Sequence, residues 1–360
     1  MRKTIHRRTL LQVVGSAAIL PFVKTEPPIK LPKPVRVGII GLEGHFSEVL
    51  KAARLLPELK ITAGPLNSRR ELERASGQPL IAAARKYKNF HRMLDAEKLD
   101  VVAICDENGA RAPTIITCAE RGLAIAAEKP LAISLGELEA VKRTVGQSRV
   151  PLTMLLPLRF SAPYLAMKSI VDSGQIGESV ALAGQKSYQL GVRPQWMKER
   201  RSFGGTIPYI AVHVVDLMRF VSGREMVETA AFHSRVGFPE IAEMENNAAI
   251  IYRLDNGGSA NVRLDYLRPP AAPTHGDDRL RMAGTEGVVE YQGSQLTLVT
   301  RSMKPHQITE LPDHPGLFAD FLDSIYNGKK HLLPPPDIYR VTEIVLKTRE
   351  AADTNQVIKL

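Results

Sequence analysis

The order of apolar and polar positions divides this 360-residue chain into two parts with different patterns. Between residues 35 and 148, short apolar runs alternate with amphipathic stretches, as in a parallel sheet whose strands are connected by helices. Strands are predicted at 35–40, 59–63, 101–105 and 123–127, and helices at 46–56, 69–86, 113–120 and 135–145. The first part is therefore predicted to be a doubly wound α/β domain with a parallel sheet.

After residue 151 the pattern changes to strands that follow one another through tight turns. Helices at 163–172 and 207–221 flank a predicted strand at 179–186. Further strands are predicted at 227–233, 248–254, 259–265, 280–283, 287–291 and 296–299, and helices at 316–326 and 337–352. Asn256-Gly257 is a strong hairpin signal between two of these strands. Strands joined in this way form antiparallel sheets, so the second part is predicted to be an α+β domain.

The first 34 residues are predicted to lie outside both domains. Arg7-Arg8 precede an apolar stretch that is short for a membrane span, and four prolines between residues 27 and 34 form a stiff spacer. Twin arginines in this position resemble a bacterial Tat signal, which implies the Tat export machinery as a partner. We therefore predict a signal and spacer at 1–34, domains at 35–150 and 151–360, and a periplasmic protein. An uncleaved signal would tether it to the membrane, and a cytosolic protein with a basic N-terminus is the alternative.

Charge and composition are those of an ordinary globular enzyme. The formal net charge is +10, but Arg2, Lys3, Arg7 and Arg8 supply four of those charges before any acidic residue appears. The remaining positive charge is not gathered into a stripe, so no nucleic-acid partner is expected. No metal site is predicted either.

The turn after the first strand has features of a nucleotide-binding fold. Gly41 permits a tight turn, Gly44 lets the backbone approach a ligand, and amides at the start of the next helix attract a pyrophosphate. Glu43 stands where the dinucleotide fingerprint has its second glycine. A strand-to-helix turn also needs a glycine for steric reasons, so a ligand-binding and a purely structural role both remain open.

The end of the second strand indicates which nucleotide would bind. A cofactor with a free ribose 2′-hydroxyl usually meets an acidic residue there, whereas this chain has Ser68, Arg69 and Arg70 before Glu71. Hydroxyl and guanidinium groups suit a 2′-phosphate, so NADP is favoured over NAD. A solvated helix start is the alternative.

Two further segments carry candidate catalytic groups. Lys129 follows the last predicted strand of the first domain, at the sheet edge where ligands bind, and its ammonium can hold or protonate a substrate oxygen. Tyr209, His213 and Asp216 are spaced to share one face of the helix at 207–221. Imidazole carries protons near neutral pH, and a nearby carboxylate can fix its tautomer. The alternatives are a surface lysine in a turn and a histidine satisfied within the core.

Together these segments resemble the Gfo/Idh/MocA family, named for glucose–fructose oxidoreductase, inositol dehydrogenase and a rhizopine-catabolism protein. The resemblance runs from about residue 35 to the C-terminus. It depends on "VGIIG", "LDVVAIC", "EKPLAISL", "RFSAPYLAMKSIVDSGQIGE" and "GGTIPYIAVHVVDLMRFVSG" in this order. It implies a Rossmann domain followed by a large, open, mainly antiparallel sheet that carries the substrate site and often mediates homo-oligomers.

By position, the resemblance implies that Lys129 and His213 are catalytic residues. Tyr209 stands where the family has an acid, and its ordinary pKa near 10 makes it a poor base, so it is predicted to orient or relay a proton. Arg111 stands where many members have a histidine. The cofactor, NADP in preference to NAD, is predicted to bind through Gly41, Gly44, Ser68, Arg69, Asn108 and Glu128.

The resulting prediction is an exported NAD(P)-dependent oxidoreductase that transfers hydride to or from a sugar, cyclitol or related polyol. Two alternatives belong to other classes of protein. One is a glycosidase that retains its nucleotide and works by transient oxidation and elimination, and the other is a non-catalytic ligand-binding relative.

Overall fold

The computed structural model describes residues 28–65 and 69–360. The predicted signal with Arg7 and Arg8, and the predicted cofactor ligand Ser68, lie outside these ranges. Within them, no helix has both the length and the apolar character that a membrane span requires. Two sheets organise the described chain.

The first sheet holds six parallel strands in the order β3-β2-β1-β4-β5-β6. They are β1 (Val35–Ile40), β2 (Leu59–Pro65), β3 (Arg85–Tyr87), β4 (Val101–Ile104), β5 (Ala124–Ala127) and β6 (Leu152–Met154). Every residue of β4 and β5 is buried, as expected for central strands of a helix-covered parallel sheet. The strand order reverses direction between β1 and β4, which is where ligands bind in open α/β sheets. The predicted α/β architecture is confirmed.

Helices connect these strands, and they differ from the prediction at 69–86, at 90–96, where no helix was predicted, and at 108–112, where a helix begins earlier than expected. They are α1 (Ser47–Leu55), α2 (Arg69–Ser76), α3 (Pro79–Ala82), α4 (Phe90–Ala96), α5 (Asn108–Glu120) and α6 (Leu135–Ser148). The single helix predicted at 69–86 is wrong, because Gly77 and Pro79 interrupt it and β3 follows. The three-residue strands β3 and β6 are too short for a periodic signal, and β6 extends the first sheet past the predicted boundary at residue 150.

The second sheet holds nine strands in the order β14-β13-β12-β11-β7-β10-β9-β8-β15. They are β7 (Ser179–Gln189), β8 (Met226–Ser234), β9 (Asn247–Leu254), β10 (Ser259–Arg268), β11 (Gly276–Gly284), β12 (Gly287–Gln292), β13 (Gln295–Thr300), β14 (His306–Gln307) and β15 (Ile358–Lys359). All neighbouring strands run antiparallel except β7 and β10, which pair in parallel. The predicted mainly antiparallel sheet is confirmed.

Five helices accompany the second sheet: α7 (Ala162–Asp172), α8 (Arg200–Phe203), α9 (Val212–Ser222), α10 (Leu317–Asn327) and α11 (Pro335–Thr354). Helices α7, α9 and α11 pack against the sheet, whereas α8 packs against α5 and α10 against α1 of the first domain. Helix α11 packs against β8 of the second sheet and against α6 and β6 of the first. In β9, Ile250 and Tyr252 are buried while Ile251 between them is 62% exposed, so the other face of this sheet is open.

Candidate active site

Lys129 lies just beyond β5, at the carboxyl edge of the parallel sheet, and is 3% exposed. Its Nζ donates a hydrogen bond of 2.9 Å to the backbone carbonyl of Tyr209 and lies 3.2 Å from the centroid of the Tyr209 ring. Tyr209 belongs to the segment that leads into α9. The packing of the second domain against the first therefore brings two of the predicted catalytic residues together.

The environment of Lys129 suits proton transfer. Burial lowers the pKa of Lys129 to about 7, the Glu128 carboxylate 3.9 Å from Nζ opposes this shift, and the charges of Arg111 and Arg193 add to it. An amine with a pKa near the working pH can both release and accept a proton at little cost, which is what a general acid–base group needs.

His213, on α9, borders the same cavity as Lys129. Burial lowers the pKa of His213 well below its usual range, and the neighbouring charge of Lys129 has the same effect. The buried Nδ1 of His213 has no hydrogen-bond partner among the described residues. The imidazole is therefore neutral near pH 7, with one nitrogen available to a ligand.

The helix predicted at 207–221 is a π-helical turn over Ile207–Ala211 followed by α9. Asp216 does not fix the tautomer of His213 as expected, because its carboxylate forms a buried ion pair with Arg159 instead. Burial raises the pKa of Tyr209 to about 12, so its phenol stays protonated. Since Tyr209 meets Lys129 through its carbonyl and its ring, the geometry favours an orienting role for Tyr209.

His45 is a site residue that the sequence prediction missed. Its backbone N–H donates to Glu128 Oε2 over 2.9 Å, and its Nδ1 lies 3.0 Å from the same carboxylate. The His45 ring also meets the His213 ring edge-on, with centroids 5.2 Å apart. A β-carbon on Gly44 would overlap the Glu128 carboxylate, so this glycine makes room for the pair. The available signal was a histidine directly after the fingerprint glycine.

Asn108 and Arg111, at the start of α5, brace the backbone beneath the lysine. The fully buried Arg111 donates to Asn108 Oδ1 over 2.9 Å and to the carbonyls of Lys129 and Pro130 over 3.0 and 3.1 Å. Asn108 donates through Nδ2 to the carbonyl of Phe203 over 2.8 Å, which ties α5 to the second domain. Arg111 thus holds the backbone at Lys129 in place.

A groove of about 570 Å³ runs along the carboxyl edge beside the turn at Gly41. The turn requires glycine, because Gly41 has φ 77° and a β-carbon would overlap the Cys105 carbonyl. Glu43, which borders the groove, is neutralised by Arg74 at 3.2 Å and Arg70 at 3.5 Å. The charge that opposed phosphate binding in the sequence is therefore paired within the protein.

The residues around the groove fit a nicotinamide dinucleotide. The volume of the groove lies in the usual range for ligand sites. Arg70 can bind a phosphate, and the carboxylates of Asp106 and Glu107 can accept hydrogen bonds from ribose hydroxyls. Glu43 borders this groove, and its neighbour Gly44 borders the cavity beside Lys129. One ligand can therefore extend from the groove to the lysine.

The structure does not bring every predicted cofactor ligand to the groove. The Arg69 side chain is 93% exposed and pairs with Glu73 at 2.9 Å, whereas Arg70 lines the groove. Glu128 is held by His45 at the junction with the lysine cavity. Gly41 and Gly44 are in the turn as predicted, and their role as cofactor ligands stays a prediction.

Family models match both halves of the chain. The model for the oxidoreductase family with an NAD-binding Rossmann fold matches residues 35–155, and the model for the GFO/IDH/MocA C-terminal domain matches residues 164–290. The two matches fall on the two parts of the chain in the expected order.

Individual proteins agree with the family models. A solved structure from Thermotoga maritima, provisionally described as an oxidoreductase, is 32% identical with a TM-score of 0.85 and covers 91% of this chain and 100% of that one. A scyllo-inositol 2-dehydrogenase (NAD(+)) from Bacillus subtilis is 25% identical over 69% of this chain and 73% of its own. An Agrobacterium radiobacter oxidoreductase solved with NAD+, L-tartaric acid and magnesium has a TM-score of 0.78 at 19% identity, covers 91% of this chain and 98% of that one, and shows the same fold.

Proposed function

Because the chain belongs to the Gfo/Idh/MocA family of oxidoreductases, we propose that it transfers hydride between a nicotinamide cofactor and a sugar, cyclitol or related polyol. The observation that carries this proposal is the meeting of Lys129 and His213 at one cavity, next to a groove of nucleotide size. The dehydrogenase name of the Bacillus subtilis relative supports the substrate class.

In the proposed reaction the bound nicotinamide supplies the hydride acceptor or donor. Lys129 as the free amine takes the proton of the substrate hydroxyl during oxidation and returns it during reduction. His213, neutral and with an unpartnered Nδ1, hydrogen-bonds the same hydroxyl and orients it. Tyr209 holds the amine through its carbonyl, which keeps Nζ in place when the proton leaves.

The pair of His45 and Glu128 supports this arrangement from the first domain. Burial alone would raise the pKa of Glu128, but the charge and hydrogen bond of His45 and the charge of Lys129 lower it overall. Glu128 therefore remains ionised and stabilises the protonated form of Lys129 after it has taken the proton.

Mass spectrometry of nucleotide released from folded, purified protein tests the proposal, together with the absorbance of reduced nicotinamide during incubation with inositols and aldoses. Nucleotide that exchanges and is reduced by one of these substrates supports it. Nucleotide that stays bound without net turnover would favour the retained-cofactor glycosidase. Protein that neither contains nor binds NAD or NADP contradicts any nicotinamide-dependent reaction.

We propose NADP as the preferred cofactor. Support comes from Arg70, which lines the groove and shares Glu43 with Arg74, so its guanidinium is not fully compensated by one carboxylate. A 2′-phosphate is the part of NADP that an additional cation recognises.

We also propose that the protein is exported by the Tat route to the periplasm and that it forms homo-oligomers through the open sheet face. Arg7-Arg8 support export. The exposed side chains of Phe232 on β8 and Ile251 on β9, which are 68% and 62% exposed, support association through this face.

A further inference from the structure

The cavity beside Lys129 contains polar atoms that the described protein leaves unpaired. It measures about 360 Å³ and lies between the turn at Gly44 and the second sheet. Arg193 Nε, His213 Nδ1 and Tyr266 Oη are buried, belong to side chains that line it, and have no hydrogen-bond partner among the described residues. Buried polar groups are nearly always paired. Three such atoms around one cavity therefore indicate where a ligand supplies the missing partners.

The cavity lining is also one-sided in charge. It includes the cations Lys129 and Arg193, and within residues 28–65 and 69–360 no carboxylate belongs to the lining. The imidazoles of His45, His213 and His275 also line it, and that of His213 is neutral. The nearest acid, Glu128, is already engaged by His45 at 3.0 Å and by Lys129 at 3.9 Å. Glu128 thus offsets the charge of Lys129, and Arg193 remains as a cation of the lining without a carboxylate partner among the described residues.

Arg193 is the cation with the least compensation. Its Nη2 donates to the carbonyl of Gln189 over 3.1 Å, and its guanidinium lies over the Tyr266 ring at 4.4 Å. It forms no ion pair with any carboxylate in the described part of the chain. Asp278, on β11 beside β7, pairs through Oδ2 with the fully buried Lys186, so that cation offsets its charge, while its buried Oδ1 has no hydrogen-bond partner among the described residues. A partly buried guanidinium without a counter-ion is unfavourable, and a planar carboxylate is the group that matches its fork.

We infer that the substrate is a sugar acid, whose carboxylate binds Arg193 while the hydroxyl that reacts lies at Lys129 and His213. This inference rests on the proposed function, and it narrows the polyol class to polyhydroxy acids such as uronates and aldonates. Tyr266 Oη supplies a further hydrogen bond to the carboxylate or to a neighbouring hydroxyl.

The test compares sugars that differ only at one carbon, with the purified full-length protein saturated with nucleotide. The probes are D-glucuronate against D-glucose, D-galacturonate against D-galactose, and D-glucose 6-phosphate. Binding is measured by calorimetry and by the fluorescence of Trp196, the only tryptophan, which packs against Tyr209 with ring centroids 6.3 Å apart. Turnover is measured separately through the reduced nicotinamide.

We expect a uronate to bind at least about tenfold more tightly than its neutral partner, as one charge-assisted contact is worth. Arg193→Gln should lower uronate affinity about 10- to 100-fold and remove the difference between the two sugars. Arg193→Lys should retain part of the preference for the uronate over the neutral sugar, because the positive charge remains. The matched control Arg143→Gln removes an exposed guanidinium on α6 and should change neither affinity.

Equal binding of uronates and neutral sugars overturns the inference, as does equal loss of both in Arg193→Gln. Tighter binding of the sugar phosphate than of the uronates overturns the carboxylate assignment. Arg193-dependent uronate binding without turnover supports the inference and contradicts the proposed function. Turnover of a neutral sugar with no uronate binding supports the proposed function and contradicts the inference.

Discussion

Lys129→Met should stabilise the protein near pH 6 while it abolishes turnover. The variant keeps an apolar chain of similar length in the buried position and removes the amine whose burial is unfavourable. Stabilisation combined with loss of activity is the expected behaviour of a residue that is kept for function at the expense of stability.

The magnitude follows from the pKa of Lys129. The ordinary value of 10.5 falls to about 7 in the folded protein, and each pKa unit corresponds to about 1.36 kcal/mol. Between pH 7 and 10.5, Lys129 is therefore protonated in the unfolded chain and neutral in the folded protein. The burial of Lys129 thus lowers the free energy of unfolding by its full amount below pH 7, and this destabilisation disappears as the pH rises to about 10.5. It amounts to about 5 kcal/mol below pH 7. Methionine leaves the Tyr209 carbonyl without its donor, which offsets about 1–3 kcal/mol at every pH.

The expected gain in the free energy of unfolding is thus about 2–4 kcal/mol at pH 6, and it falls by about 1.4 kcal/mol per pH unit above pH 7. Urea unfolding at several pH values, followed through Trp196, measures the difference between variant and parent, so that titrations common to both cancel. Lys98→Met, which removes an exposed lysine, is the matched control and should show no such slope. A difference that stays constant from pH 6 to pH 9.5, or a variant less stable than the parent at pH 6, would refute the reasoning.

Four further predictions concern the other parts of the molecule. His213→Ala should abolish turnover and leave nucleotide binding intact. Tyr209→Phe should retain most of the rate, because the carbonyl and the ring that hold Lys129 remain. A large loss of rate in Tyr209→Phe would instead show that the hydroxyl relays a proton. Arg70→Ala should weaken NADP binding about 10- to 100-fold more than NAD binding. Arg69→Ala changes a solvent-exposed neighbour and should weaken neither nucleotide. Calorimetry with both nucleotides measures this, and equal losses of NADP and NAD affinity in Arg70→Ala would contradict the NADP proposal. Replacement of Arg7 and Arg8 by lysine should leave folded protein in the cytoplasm, and unchanged export in cell fractionation would contradict the Tat proposal. Phe232→Lys together with Ile251→Lys should shift an oligomer to monomers in sedimentation, and an unchanged mass would exclude this sheet face as the interface.

The two-domain architecture could be predicted from the order of residues, because local periodicity carries that information. The alternation of buried runs with amphipathic helices predicts the first sheet, and Asn256-Gly257 marks the hairpin between β9 and β10. Local context and the family resemblance also predicted Lys129 and His213 as catalytic residues, and the structure places both at one cavity. Elements of three residues escaped prediction, because β3 and β6 are shorter than one recognisable period.

Tertiary structure alone decided how the side chains combine. Tyr209 and His213 were predicted to share a helix with Asp216, but a π-helical turn holds Tyr209, and the buried Arg159 pairs with the Asp216 carboxylate. His45 joins the site only because Glu128, 83 positions later, reaches the turn at Gly44. Likewise, the adjacent arginines at 69 and 70 are equivalent in the sequence, and only the orientation of α2 sends one to solvent and the other to the groove. Pairing of charges depends on distances in space, which the order of residues along the chain does not contain.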